Sequence, residues 1–486
     1  MPKQAAGLSY AVRFPVLGKY FGQLCLVVAA LTVVPLAVSL IHGETPIAFR
    51  YVIVIVALAG TGGILGRMPA PREVQVNEAM VLVAFMFFVT PLVMSFPMMG
   101  SGLSFPDAFF EAVSAATTTG LSTVKRLEGM PQTFLFARTW MQWYGGLGIV
   151  VFSLALLFRP GRAAKRIAFT EAMEEDLVGG TKAHAHRVLV VYAVLTGAGI
   201  LLLWLEGIGF FDALLYAMAS VSTGGFAPHD TSLAALDGPV VHFSVILVCL
   251  AGAVPFSFYS RLYKKGRRPV TDALQLRGLL IMGGVMSLLL GICLVVTQDT
   301  GWMQALHHAP VVVFSAQTTA GFSSMDLSQL HAAAKLVLIM TMAVGGGVGS
   351  TAGGFKILRL LMIISLLRVL LWRACASTHA VVEPRIAGRR MEETAIQEAL
   401  LLVLLFAAVI LISWLPFLYL GYDPMDSLFE VVSATGTVGL STGVVGAEMP
   451  MLLKGILCVD MLLGRLEILA WLVMVYPGTW IGRRLS

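Results

Sequence analysis

Ala116-Thr117-Thr118-Thr119-Gly120-Leu121, Val221-Ser222-Thr223-Gly224-Gly225-Phe226, Gln317-Thr318-Thr319-Ala320-Gly321-Phe322 and Thr435-Gly436-Thr437-Val438-Gly439-Leu440 are four versions of one short element. Each is rich in threonine, serine and glycine, and each aligns on one glycine followed by an apolar residue, at 120, 225, 321 and 439. In the first and last the likeness runs further back, because Phe110-Glu111-Ala112-Val113-Ser114-Ala115 parallels Phe429-Glu430-Val431-Val432-Ser433-Ala434. A single cluster of this kind is ordinary small-residue packing between helices. Four of them, roughly a hundred residues apart and each between two apolar segments, are an internal repeat.

The chain around them is built for a bilayer. Of its 486 residues 58% are hydrophobic and 12% charged, with a mean hydropathy of +0.86, where a soluble domain carries roughly 25% charge. Apolar stretches near the ~20 residues of a crossing recur along the whole length. Two of them, about 22 to 41 and 50 to 67, form a leading hairpin, closed by a proline- and charge-rich link from Met68 to Glu78. Four blocks follow, each a long apolar segment, a half-length stretch ending in the threonine/glycine turn, and a second apolar segment. The expected fold is therefore an all-α polytopic membrane protein of ten spanning helices. Its parts are an N-terminal hairpin (1–76) and four helix–pore-loop–helix repeats (77–165, 166–265, 266–390 and 391–486) around a central pore.

The charges orient it. Lys and Arg gather in 159–187, 261–277 and 356–390 and are absent from 206–260, 298–334 and 421–453, the positive-inside pattern, with both termini cytoplasmic and Arg483 and Arg484 at the inner end. The first outer connection, with Lys125, Arg126 and Arg138, runs against the trend. Discrete basic loops between apolar segments argue for orientation and against a nucleic-acid surface. The five cysteines are scattered without metal-ligand spacing.

Each turn has the ingredients of a re-entrant element: a half-helix entering from outside, a turn at mid-depth, and extended backbone returning. Ion filters present backbone carbonyls that replace the ion's hydration shell. Glycine supplies the positive φ such carbonyl directions require and lets strands approach closely. The expected filter residues are Thr118, Thr119 and Gly120; Thr223, Gly224 and Gly225; Thr319, Ala320 and Gly321; and Thr437, Val438 and Gly439. The second apolar segment of the third block is too long for one crossing. It is interrupted by Gly345, Gly346, Gly347, Gly349, Ser350, Thr351, Gly353 and Gly354. Non-helical backbone at membrane depth persists only where protein or a water-filled cavity satisfies it, a condition a loop inside a conduction path meets.

Three more stretches carry a family resemblance. Gln142-Trp143-Tyr144-Gly145-Gly146-Leu147-Gly148-Ile149, Gly349-Ser350-Thr351-Ala352-Gly353-Gly354-Phe355-Lys356 and Leu463-Gly464-Arg465-Leu466-Glu467 resemble signatures of the TrkH-type subunits of the Trk/Ktr/HKT superfamily. With the four turns, the resemblance covers about residues 77 to 477. The leading hairpin looks like the extra domain of TrkH, whereas Ser433-Ala434-Thr435-Gly436-Thr437-Val438-Gly439 is closer to the KtrB pattern, so the subfamily stays open.

The resemblance implies potassium uptake across a bacterial inner membrane through a gated pore, without enzyme activity. Potassium would be the substrate, with no cofactor on this chain. It also implies a homodimer and a cytoplasmic TrkA-like nucleotide-binding regulatory subunit, and it makes the glycine-rich loop a gate beneath the filter. Coupling to protons or sodium, as in a symporter, is left open. In the superfamily, serine at the first-repeat glycine goes with sodium permeation, and here that residue is Gly120. A less selective cation or sodium pathway and a non-conducting scaffold or sensor are the competing functions.

Two readings attach to Arg465, which lies near the middle of the last span, where an unpaired cation costs at least ~2.5 kcal/mol. It either pairs with Asp460 or Glu467, at offsets that stack poorly on one helix face, or it faces the pore, using carbonyls as acceptors and opposing cations. The resemblance favours the second. Other motifs have bland explanations. Gly347 to Ala352 satisfies GxGxxG/A, but an apolar span precedes it and no βαβ unit is available. Gly439-Leu440-Ser441-Thr442-Gly443 fits GxSxG without an evident histidine base, and Asp423 is expected to cap a half-helix.

Overall fold

The computed structural model describes residues 11–71, 74–124, 126–157, 180–263, 270–375 and 383–481. Residues 1–10, 72–73, 158–179, 264–269, 376–382 and 482–486, and with them Lys125, Arg483 and Arg484, lie outside them.

Helices α1 (Phe14–Ile41) and α2 (Thr45–Leu65) form the leading hairpin. It docks on the first repeat through polar contacts made where apolar faces alone would allow sliding. The Glu44 carboxylate accepts from the backbone N–H groups of Gln132 and Thr133, at 2.8 and 3.2 Å, capping the helix that starts there. Trp140 Nε1 donates to the Leu31 carbonyl at 2.9 Å. Arg13 pairs with the buried Glu78 at 2.8 Å, tying the start of α1 to the start of the next long helix.

The block expected as the first repeat holds α3 (Val76–Met98), the half-helix α4 (Phe105–Ala116) and α5 (Gln132–Leu157). In the second, α6 (Gly180–Leu205) and the half-helix α7 (Phe210–Val221) precede α8 (Pro239–Ala253) and α9 (Phe256–Tyr263). The third has α10 (Val270–Gln298), the half-helix α11 (Trp302–Gln317), α12 (Ala332–Val344) and α13 (Ile357–Cys375). The fourth has α14 (Glu393–Tyr419), the half-helix α15 (Pro424–Thr435), α16 (Met451–Arg465) and α17 (Leu469–Val475), with a final turn α18 (Pro477–Trp480). Asp423 caps α15, its carboxylate accepting from the N–H groups of Met425 and Asp426 at 2.9 and 3.0 Å.

Six helices among the described residues are long and apolar enough to cross a bilayer: both hairpin helices and the first long helix of each repeat. The second segments behave differently, and three of the four are broken. At Pro255 the ring removes an N–H and disfavours helix just before it, so α8 ends with Val254 extended. The third breaks at the glycine-rich loop. The fourth breaks at 466–468 without glycine or proline, and Glu467 and Ile468 take φ of 53° and 64°. Trp471 Nε1 satisfies a carbonyl freed there, that of Leu462, at 2.7 Å.

Two details depart from the sequence expectations. A two-stranded hairpin, β1 (Arg385–Ile386) with β2 (Arg389–Arg390), lies at the end of the third block in a chain expected to be all-α. Ala387 and Gly388 make its turn with φ of 52° and 79°, the left-handed pair a tight hairpin needs. Arg138, counted with the outer loop charges, is instead buried in α5 and ion-paired with Glu111 at 3.1 Å.

Candidate ion pathway

The four half-helices end alike. Beyond each, Thr118, Thr223, Thr319 and Thr437 adopt φ of 50° to 55°, and two residues later Gly120, Gly225, Gly321 and Gly439 adopt φ of 91°, 76°, 73° and 95°. Threonine rarely takes this conformation, so four occurrences at the aligned position show the tertiary structure imposing it. In a regular strand successive carbonyls point to opposite sides. Left-handed residues at every second position turn them toward one side.

The N–H groups are used up backwards, into the half-helix ends. Those of Thr118, Thr223, Thr319 and Thr437 donate to the carbonyls of Ala115, Ser220, Ala316 and Ala434 at 3.0 to 3.1 Å, and the next residue in each repeat donates one position further back. Gly120 and Gly439 each donate to a serine hydroxyl, Ser114 and Ser433, at 3.0 Å. With the donors committed to the half-helix, the carbonyls along the strands are left to face whatever the strands surround.

The strands meet in a closed ring. A Cβ on Gly120 would lie 2.4 Å from the Gly224 carbonyl oxygen, on Gly225 1.8 Å from that of Ala320, on Gly321 2.0 Å from that of Val438, and on Gly439 2.1 Å from that of Thr119. Repeat one thus abuts two, two abuts three, three abuts four, and four returns to one. Any side chain at these glycines collides with backbone, which cannot give way. The spacing of the four turns brings all twelve expected filter residues onto these strands.

The glycine-rich loop lies against the strands where they leave the half-helices. Gly353 N–H donates to Thr319 Oγ1 at 2.7 Å, Thr223 Oγ1 to Thr351 Oγ1 at 3.2 Å, and Gly354 N–H to the Gly436 carbonyl at 3.0 Å. Its stem folds back on α12, with Phe355 and Lys356 N–H donating to Ala343 and Val344. The break in the second repeat supplies its other wall. Carbonyls of Gly252 and Ala253, left free beside Pro255, accept from Thr351 and Gly347 N–H at 3.3 and 3.1 Å. The GxGxxG-like stretch therefore follows a helix and packs into this loop.

Arg465 completes the layer. Its Nη1 donates to the Thr351 carbonyl at 2.7 Å and Nη2 makes a longer contact of 3.4 Å to that of Gly145, while Nε is buried without a partner. Neither carboxylate weighed from the sequence holds it: Glu467 pairs with Arg359, and Asp460 accepts from the Ser413 hydroxyl at 2.6 Å. The guanidinium thus grips one loop carbonyl and approaches one carbonyl of α5, setting a fixed positive charge against the same loop backbone that touches the strands of the ring.

Several side-chain contacts that sequence reasoning did not assign hold this arrangement. Gln142 donates to the Gly224 carbonyl at 2.5 Å and accepts from Phe226 N–H at 3.2 Å, bracing the second strand on both sides of Gly225. Gln317 donates to the Gly345 carbonyl at 2.6 Å, joining the third half-helix to the loop. The Thr351 hydroxyl is within hydrogen-bonding distance of the Val221 and Gly252 carbonyls. Buried amides in apolar segments are costly unless satisfied, and that cost is the signal that marks Gln142 and Gln317 in the sequence. Ser441, the serine of the GxSxG match, donates to Glu430 at 2.7 Å.

Comparison with known proteins adds an independent result. The chain is 32% identical over 478 residues to the Trk system potassium uptake protein TrkI of Halomonas elongata, covering 95% of this chain and 96% of that one. It is 29% identical over 461 residues to an uncharacterized cation transporter of Methanocaldococcus jannaschii, covering 93% of each. It is 28% identical to the Trk system potassium uptake protein TrkH of Escherichia coli, over 84% of this chain and 87% of that one. Its fold matches the crystal structure of the potassium transporter TrkH from Vibrio parahaemolyticus with a TM-score of 0.85 at 24% identity, covering 97% of this chain and 100% of the other. The family described as TrkH, cation transport protein, matches residues 48–477, and the chain belongs to that family.

Proposed function

We propose that this chain takes up potassium through the ring of four strands, with the glycine-rich loop and Arg465 as the barrier on its inner side. The observation that carries the reading is the closed cycle of glycine-to-carbonyl contacts, from Gly120 through Gly225 and Gly321 to Gly439 and back. A ring of strands with left-handed turns at matching positions is what a site replacing an ion's hydration shell requires. Charged and polar groups are placed behind it or below it. Potassium as the cargo follows from the relatives named as potassium uptake proteins.

In this reading the protein crosses a bacterial inner membrane ten times with both termini inside, its four repeats bounded as the sequence divides them. It works as a homodimer with a TrkA-like nucleotide-binding regulator on the cytoplasmic face. Proteoliposomes holding the purified chain test the core of it. An inside-negative potential should drive rubidium uptake that external potassium competes away and sodium does not. Equal competition by sodium would favour the less selective pathway, and uptake no faster than in empty vesicles, with and without the regulator, would favour the scaffold.

A further inference from the structure

From the half-helix cap to the first turns of the following helix, the first and fourth turn segments align without a gap at one constant separation along the chain. The matched pairs include the half-helix caps Ser104 and Asp423, Glu111 and Glu430, Gly120 and Gly439, and the helix starts Gln132 and Met451. Gly145 and Gly464 confirm the register in space, since a Cβ on the first would meet the Ala116 carbonyl oxygen at 2.3 Å and on the second the matching Thr435 oxygen at 1.9 Å.

Within this register the two glutamates do the same work. Glu111 Oε1 accepts from the Ser122 hydroxyl and the Thr123 N–H, both at 2.7 Å, and Glu430 Oε1 accepts from the Ser441 hydroxyl and Thr442 N–H at 2.7 and 2.8 Å. Each ties a half-helix to the strand just past its filter glycine, and both are fully buried. The second oxygens differ. Glu111 Oε2 accepts from Arg138 at 3.1 Å, whereas Glu430 Oε2 is buried with no partner. The residue in register with Arg138 is Leu457, fully buried and apolar. Repeats two and three carry Tyr216 and Val312 at the glutamate position.

We propose that Glu111 and Glu430 are positioning residues of the first and fourth filter strands that work under opposite electrostatic demands. Glu111 is needed as the partner of Arg138, and Glu430 is needed as a hydrogen-bond acceptor whose charge is dispensable. A neutral amide at 430 keeps the bonds from Ser441 and Thr442 and leaves no cation unpaired. A neutral amide at 111 turns an N–H donor toward Arg138 and takes the carboxylate from a buried guanidinium, leaving it the Ala227 carbonyl and the Phe134 and Phe226 rings. The proposal rests on reading these strands as the filter.

Rubidium-to-sodium flux ratios in proteoliposomes test it. Glu430→Ala should lower the ratio about tenfold, as expected when bonds worth 1 to 3 kcal/mol are lost behind a strand. Glu430→Gln should restore the parent ratio, and Glu111→Gln should fall as far as Glu430→Ala. Leu457→Arg repeats the comparison without depending on the folding of Glu111→Gln, since Glu430→Gln should lower the ratio once that arginine is present. A ratio for Glu430→Gln as low as that for Glu430→Ala overturns the inference, as does a Glu111→Gln that keeps the parent ratio or a Glu430→Gln equally tolerated beside Leu457→Arg. A parent chain that shows no rubidium preference overturns the reading of function itself. A selective parent unaffected by Glu430→Ala overturns the inference alone.

Discussion

The guanidinium of Arg465 donates to the carbonyl of Thr351 at 2.7 Å, joining the end of α16 to a loop that also bonds Thr223 and Thr319 of the strands in the ring. If this layer is the barrier, Arg465→Ala should raise potassium flux. A fixed charge ~4 Å from the ion at an effective dielectric of ~20 opposes it by about 4 kcal/mol, and each ~1.4 kcal/mol removed is tenfold in rate. Arg465→Lys keeps the charge but loses the planar fork, and should leak to an intermediate degree. Tracer flux measured on variants matched for insertion decides it, and a stable Arg465→Ala no faster than the parent removes the arginine from the barrier.

Serine at Gly120 or Gly439 should reduce potassium over sodium selectivity several-fold. The new Cβ would be driven to 2.4 Å from the Gly224 carbonyl oxygen or 2.1 Å from that of Thr119, at φ of 91° or 95°, a conformation costing a side chain roughly 1 to 2 kcal/mol. The strands must part, which changes the spacing of the carbonyls that the proposed function makes the ion's ligands. Reversal potentials in mixed salts report the ratio, and unchanged values for both variants would take these glycines out of the filter.

The turns were readable in the sequence because glycine records backbone geometry directly, and four copies of Thr-x-Gly one repeat apart leave little else to explain them. The glycine-rich interruption was readable for the same reason. What stayed hidden was geometry imposed by neighbours. Nothing local makes Glu467 and Ile468 left-handed, and the reach of Arg465 to Thr351 depends on a loop more than a hundred residues away. Arg138 looked like a loop charge because its partner Glu111 belongs to a different element, and Gln142 looked like part of a motif because its bonds to Gly224 and Phe226 cross between repeats. Ala387-Gly388 was a legible turn signal, overshadowed by the arginines around it.

If the loop is the proposed gate, deleting 345–347 should leave a path that conducts with less dependence on the proposed regulator. These residues form one arm of the loop: Gly347 N–H donates to Ala253, the Gly346 carbonyl accepts from Ile357, and a Cβ on Gly345 would strike the Gly353 carbonyl oxygen at 2.1 Å. Shortening this arm pulls the other, with Thr351 and Gly353, off the filter threonines. Flux measured with and without the regulatory subunit is the check. A deletion variant that inserts normally yet keeps full dependence on the regulator would exclude the loop as the moving part.

The outer rim of the ring is closed by a pair from its two ends, Asp107 at the start of the first half-helix and Lys454 in the first turn of α16, 2.6 Å apart and largely buried. Lys335 and Asp426 make the matching pair between repeats three and four, and both lysines also donate to a carbonyl seven residues earlier, those of Ala447 and Ser328. Lys454→Met should therefore cost about 2 kcal/mol, between the values for an exposed and a fully buried pair, read as a lowered melting temperature in detergent. Asp107→Asn added to Lys454→Met should recover part of the loss, because no lone carboxylate then remains. The pH dependence has a definite sign. Burial works against the charged carboxyl of Asp107, but hydrogen bonds from Lys454 and Ser104 outweigh it and hold the carboxyl below its ordinary range. A depressed carboxyl contributes stability that is fully present above the unfolded value of ~3.9 and lost as pH falls through the folded one. The gap in melting temperature between parent and Lys454→Met should be full at neutral pH and close as pH falls through the acid range in which the folded Asp107 takes up its proton. A gap already lost at pH 6, or no gap at neutral pH, would show that the pair does not clamp the first repeat to the fourth.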